Sequence, residues 1–180
     1  MDSILSQFSA WSYAFAALLH GLFGLYLGVA WRKGRQGIFL IAAVVTSGLW
    51  AAANWAFAAS GWVWMFQLGN LLDVLRMAAW FGFLVAMLSQ PAAGGSDSAL
   101  PGWPRPGVLA VVTLGAVGEA CFTLGLPAYG TPLRTWAATS LLTSVFGLVL
   151  LELFYRSVTE RSRWGVKPLA LALGGLFAFD

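Results

Sequence analysis

Residues 9–35 read SAWSYAFAALLHGLFGLYLGVAWRKGR, and this stretch decides the fold class. From 9 to 31 it carries no Asp, Glu, Lys or Arg. As a helix rising ~1.5 Å per residue, that run reaches about 34 Å, enough to cross a hydrocarbon core of about 30 Å. Trp11 and Trp31 stand near its two ends, the placement of aromatic rings at membrane–water interfaces. Arg32, Lys33 and Arg35 follow at once, and a basic cluster against a long apolar run is the pattern of a cytoplasmic loop.

The rest of the chain repeats the pattern. Of 180 residues, 59% are apolar and 9% charged, against about 25% charged in soluble domains. Mean hydropathy is +0.78. These values exclude a soluble globular domain, a disordered tail and a disulfide scaffold. Cys121 is the single cysteine, so neither an internal disulfide nor a cysteine-based zinc cluster can form. Net charge is +3, but the basic residues lie in short clusters between apolar runs, which points to membrane loops and not to nucleic acid. The chain is predicted to be an all-α, polytopic integral membrane helical bundle. Full spans are placed at about 9–31, 37–58, 68–88, 107–126 and 132–154.

The loops give an orientation. Lys and Arg gather at 32–35, at 105 and at 156–167, whereas the aromatic second loop, 60–67, has none. The positive-inside rule then places the odd loops in the cytoplasm and the N-terminus outside. No basic segment precedes the first apolar run, so a cleaved signal peptide is not expected. A sixth apolar segment, 168–180, measures about 20 Å as a helix, too short to cross. It reads as an incomplete sixth span whose polypeptide continues past Asp180.

Ionisable groups inside a span cost about 2.5–3.5 kcal/mol each on insertion scales. Asp73 and Arg76 sit three residues apart on one helix face and can pair. Glu119 lies mid-span without a partner on its own helix, so it is either protonated or bonded to another span, with Asn54, Asn70 and His20 as candidates. Glu152 and Arg156 have the favourable i,i+4 order for a juxtamembrane ion pair. His20 is a lone intramembrane imidazole, unsuited to a phosphoacceptor or a metal site. Gly21, Gly24 and Gly28 form a small-residue side of the first span, for packing within the chain or for a dimer face. The Trp62–Phe66 stretch belongs at the outer interface, as an anchor or a surface for an apolar ligand.

No phosphate loop, His/Glu metal spacing or Ser–His–Asp set occurs, and no internal repeat supports an inverted-repeat transporter. The last thirty residues, LELFYRSVTERSRWGVKPLALALGGLFAFD, do carry a pattern: Glu152-x-x-Tyr155-Arg156, then Arg163-Trp164-x-x-Lys167, with Leu169, Gly174, Phe177 and Asp180 beyond. This resembles the N-terminal membrane region of the PrsK family, the sensor histidine kinases of the PEP-CTERM (exosortase) system. A second patch, Leu75-Arg76-Met77-Ala78-Ala79-Trp80, is similar to the Leu-Arg-x-Ala-Ala-Trp segment of the family's third span. Ser157 and Val158 stand where the family usually has Asn and Pro.

The resemblance implies a membrane-embedded sensor domain in a bacterial inner membrane. In the family it is followed by further spans, a cytoplasmic GAF domain and a kinase core that uses ATP and Mg. Implied partners are the lipid bilayer, those downstream domains, a response regulator of the PrsR type that controls exopolysaccharide and exosortase genes, and a second copy in a homodimer. No catalytic residue, cofactor or metal ligand is assigned within this chain. Glu152, Tyr155, Arg156, Arg163, Trp164 and Lys167 become candidates for a signal relay, with Asp73, Arg76, Glu119 and His20 as intramembrane polar groups. The alternative is a small multi-pass transporter or channel subunit using Glu119. The charge bias makes an immediate prediction. Alkaline phosphatase joined after Gly61 is active, and joined after Gly34 or Thr159 is inactive. The reverse pattern inverts the orientation.

Overall fold

The computed structural model describes residues 2–30, 35–89, 104–124, 132–158 and 160–179. Among them every regular element is a helix: α1 (Asp2–Ala30), α2 (Arg35–Ser60), α3 (Val63–Leu88), α4 (Pro104–Leu124), α5 (Pro132–Ser157) and α6 (Glu160–Phe179). Stretches of the first five are long and apolar enough to cross a membrane, and the chain is a multi-pass all-α bundle. The helices outrun the spans read from hydropathy: α1 starts before residue 9, α3 before 68, α4 before 107, and α5 runs beyond 154. Hydropathy marks the hydrocarbon-embedded part, whereas i→i−4 bonding continues into the interface, where polar side chains are tolerated. Residues 31–34, 90–103 and 125–131, with Arg32, Lys33 and Asp97 among them, lie outside the described residues, as does Asp180, whereas Arg35 and Arg105 belong to α2 and α4 and not to loops.

Two readings of the connections are corrected. The second loop is not 60–67 but two residues, Gly61 and Trp62. Gly61 adopts φ +69°, and its N–H donates to the Phe57 carbonyl at 2.8 Å. This is the left-handed cap that stops a helix, and glycine suits it because a Cβ would be strained there. Trp64, Met65 and Phe66 are therefore in the first turn of α3. The fifth loop is not 156–167 either: α6 starts at Glu160 and carries Pro168 inside it. The sixth segment is thus a 20-residue helix and not a 13-residue one beginning at the proline. Proline is favoured in the first turn of a helix, but here it lies further in, and the helix absorbs it at the cost of one backbone bond.

The chain divides into two compact units, Met1–Trp80 and Phe81–Asp180, the division falling within α3. In the first, α1 packs against α2 in opposite chain directions. The Gly24 Cβ position lies 3.7 Å from Val44 Cγ1, and that of Gly48 lies 3.3 Å from His20 Cβ. Lipid tails are as apolar as leucine, so helices in a bilayer associate through close packing and polar bonds, and small residues permit both. Of the glycines expected to pack α1, Gly24 does so through its own Cβ position, and the Gly21 backbone nitrogen lies 3.9 Å from that of Gly48. A Cβ on Gly21 or Gly28 would meet nothing within 4 Å.

In the second unit, α4 packs on α5 and α5 on α6. Phe81, Leu84, Leu150, Leu173 and Phe177 are fully buried. Phe81 meets Phe146 edge-on at 5.5 Å between centroids and Phe177 at 5.7 Å. The Phe177 ring lies over Gly147, 2.7 Å from where a Cβ would stand. Along α4, Gly115 and Gly118 face Thr143 and Thr139 of α5. The Thr139 and Thr143 hydroxyls donate back to carbonyls of their own helix, at 2.8–3.1 Å.

A Cβ on Gly118 would come within 2.9 Å of Thr139 Cβ and nearer still to its hydroxyl. Gly118→Ala should therefore destabilise the detergent-solubilised chain by about 1–3 kcal/mol. Thermal unfolding should show Thr139→Ala restoring part of that loss in the double variant. Strictly additive losses would mean that the two helices do not meet here.

Candidate functional site

The first polar cluster is built on the α2–α3 hairpin. Arg76 is only 4% exposed. Its Nη2 donates to Asp73 Oδ1 at 2.5 Å, along one face of α3. Its guanidinium carbon sits 4.0 Å from the centroid of the Trp50 ring on α2. A desolvated cation over an indole face gains about 2 kcal/mol, which offsets much of what burial costs the charge. Trp50 in turn meets the edge of Tyr13 from α1, 5.7 Å between centroids.

One turn further on, the Trp80 indole N–H donates to Ser47 Oγ at 3.2 Å, and that hydroxyl donates to the Ala43 carbonyl at 2.7 Å. The cluster thus ties α1, α2 and α3 through one cation, one carboxylate, three aromatic rings and a buried serine. His20 and Asn54 are occupied locally. His20 Nδ1–H donates to the Ala16 carbonyl at 2.8 Å, and Asn54 Nδ2 to the Trp50 carbonyl at 2.9 Å. Asn70 Nδ2 is buried without a hydrogen-bond acceptor among the described residues.

The second cluster joins α4 to α5. Trp136 Nε1 donates to Glu119 Oε1 at 2.6 Å, and its ring lies against Phe122 at 5.7 Å. A described donor to the Glu119 carboxylate is thus an indole from the neighbouring helix. Nearby, Thr135 Oγ1 is buried without a described partner.

The third group sits at the α5–α6 turn. Arg156 Nε donates to Glu152 Oε1 at 2.6 Å, both side chains being more than half exposed. The Lys167 ammonium lies 3.4 Å from the centroid of the Trp164 ring, and Trp164 is exposed. Each pair is a contact along one helix, and among the described residues neither reaches the other. Tyr155 is half-buried on α5. Arg163 belongs to α6, but its side chain lies outside the described residues.

Charge spacing found both ion pairs, but Trp50, Trp80, Ser47, Tyr13 and Trp136 were missed as cluster members. Their signal was present: a tryptophan deep in an apolar run carries an N–H that needs an acceptor.

Removing one partner of a buried pair strands the other. Asp73→Ala should cost about 3 kcal/mol, measured by unfolding in detergent, with Asp73→Ala/Arg76→Leu recovering most of the loss. An unchanged midpoint for Asp73→Ala would mean that the carboxylate does not offset the buried charge. Comparison with protein-family models, with curated proteins and with solved structures finds no match for this chain.

Proposed function

We propose that the chain is the membrane-embedded input region of a PrsK-type sensor histidine kinase in the cytoplasmic membrane of a Gram-negative bacterium, with its N-terminus outside. The observation that carries this reading is the pattern Glu152-x-x-Tyr155-Arg156 followed by Arg163-Trp164-x-x-Lys167. Membrane composition alone does not generate a charged, aromatic pattern of this kind. It falls on the last two turns of α5 and the first turns of α6, at one end of a helical hairpin. The Leu75–Trp80 patch falls on α3 and contributes Arg76 and Trp80 to the polar cluster there.

A sensor needs an element with two packings that the signal biases. The α5–α6 hairpin suits that role. It is held by small-residue contacts, Gly147 on Phe177 and Gly174 against Leu151. A change in the membrane or at the outer face would shift α6 against α5 and move whatever follows α6. ATP and Mg belong to the kinase core of such a protein, and the response regulator would receive the phosphoryl group there. The transporter reading has an intramembrane carboxylate in its favour. However, no internal repeat in the sequence supports a transporter architecture.

The test starts from the natural coding sequence beyond the Asp180 codon. An open frame leading to further spans, a phosphoacceptor-His motif and an ATP-binding motif supports the reading, and a stop codon overturns it. In membrane vesicles of the encoded protein, Arg163→Ala and Trp164→Ala should each change autophosphorylation at least severalfold while insertion stays normal. Unchanged autophosphorylation in both would remove the hairpin from signalling.

A further inference from the structure

Val145, Leu148, Val149, Glu152, Leu153 and Arg156 line a shallow groove of ≈ 400 Å³ on α5. Val145, Leu148 and Val149 are exposed, and the α5 residues beside α6, Gly147 and Leu151, are not among its walls. The groove is therefore open towards whatever surrounds the helix, which in a spanning protein is lipid. It is apolar along its length and charged at one end. Eleven residues separate Val145 from Arg156, about 16 Å of helix. That is close to the depth of one leaflet of a hydrocarbon core about 30 Å thick.

The charged end has a definite chemistry. Glu152 accepts from Arg156 Nε, which orients the guanidinium and leaves its two terminal NH2 groups as a fork. Such a fork matches two oxygens of a phosphate. The surrounding sequence is basic, with Arg156, Arg161, Arg163 and Lys167 against Glu152 and Glu160. Basic side chains just beyond a membrane helix attract anionic headgroups and disfavour the choline of a zwitterionic lipid.

We propose that this groove is a binding site for one anionic phospholipid, its phosphate on Arg156 and an acyl chain along Val145–Leu153. The site rests on the spanning helix and its charges, not on a kinase region, so it and the functional reading above can fail separately.

The chain, purified and delipidated in detergent, is titrated with dioleoylphosphatidylglycerol or dioleoylphosphatidylcholine, and bound lipid is counted by native mass spectrometry. Phosphatidylglycerol should be retained the more tightly. Arg156→Gln should weaken its retention about fivefold, Arg156→Lys should restore part of it, and Arg134→Gln at the far end of α5 should change nothing. Val149→Trp, which fills the groove from an exposed position, should weaken both lipids. Equal retention of the two lipids by the unaltered chain overturns the proposal. So does phosphatidylglycerol retention that neither Arg156→Gln nor Val149→Trp affects. If Arg156→Gln fails to fold, Arg156→Lys and Val149→Trp still decide.

Discussion

Hydrocarbon offers no hydrogen bonds, and the rest of this structure depends on that fact. Each peptide N–H and C=O in a span must find its partner inside its own helix, since an unmet group costs several kcal/mol. Helix is therefore the whole vocabulary of the described residues. The same pressure acts on side chains. Thr46, Thr113, Thr139 and Thr143 each donate to a carbonyl one turn back on their own helix. Buried Trp80 and half-buried Trp136 reach across to Ser47 and Glu119.

With backbone demands met internally, helix association rests on packing and on a few polar bonds. The two act at the same places. Gly48 brings α2 onto His20 of α1, two residues before Trp50 carries the Arg76 guanidinium. Gly118 brings α4 onto Thr139, beside the Glu119–Trp136 bond. Close approach makes the polar bond short, and the polar bond fixes the register of the approach. A polar group of this kind contributes less to net stability than to choosing one rotation of a helix out of several apolar alternatives.

The parts legible in the sequence were those with a one-dimensional signature. The uncharged run from 9 to 31 reads as a span because length alone decides it. Asp73 with Arg76, and Glu152 with Arg156, read as pairs because helix periodicity places them together. Contacts between helices had no such signature. That Trp136 serves Glu119 depends on how α4 and α5 face each other, which neither run of residues encodes by itself. The turns were blurred for a different reason: hydropathy averages over a window longer than the turns, so a two-residue link at Gly61–Trp62 looked like eight residues of aromatic loop. Pro168 misled as well, because a proline that starts a helix and one that a helix absorbs look alike in sequence.

The two-residue link between α2 and α3 has a consequence for how the chain enters a membrane. A long loop would let α3 arrive alone, and a solitary helix carrying Asp73 and Arg76 near its centre meets the full insertion cost of both. Gly61 reverses the chain so tightly that α2 and α3 are neighbours from the moment both exist. The ring of Trp50 and the hydroxyl of Ser47 are then already beside the positions that Arg76 and Trp80 come to occupy. Biogenesis of this region is best viewed as insertion of a helical pair, in which α2 serves as the solvent for the polar side of α3.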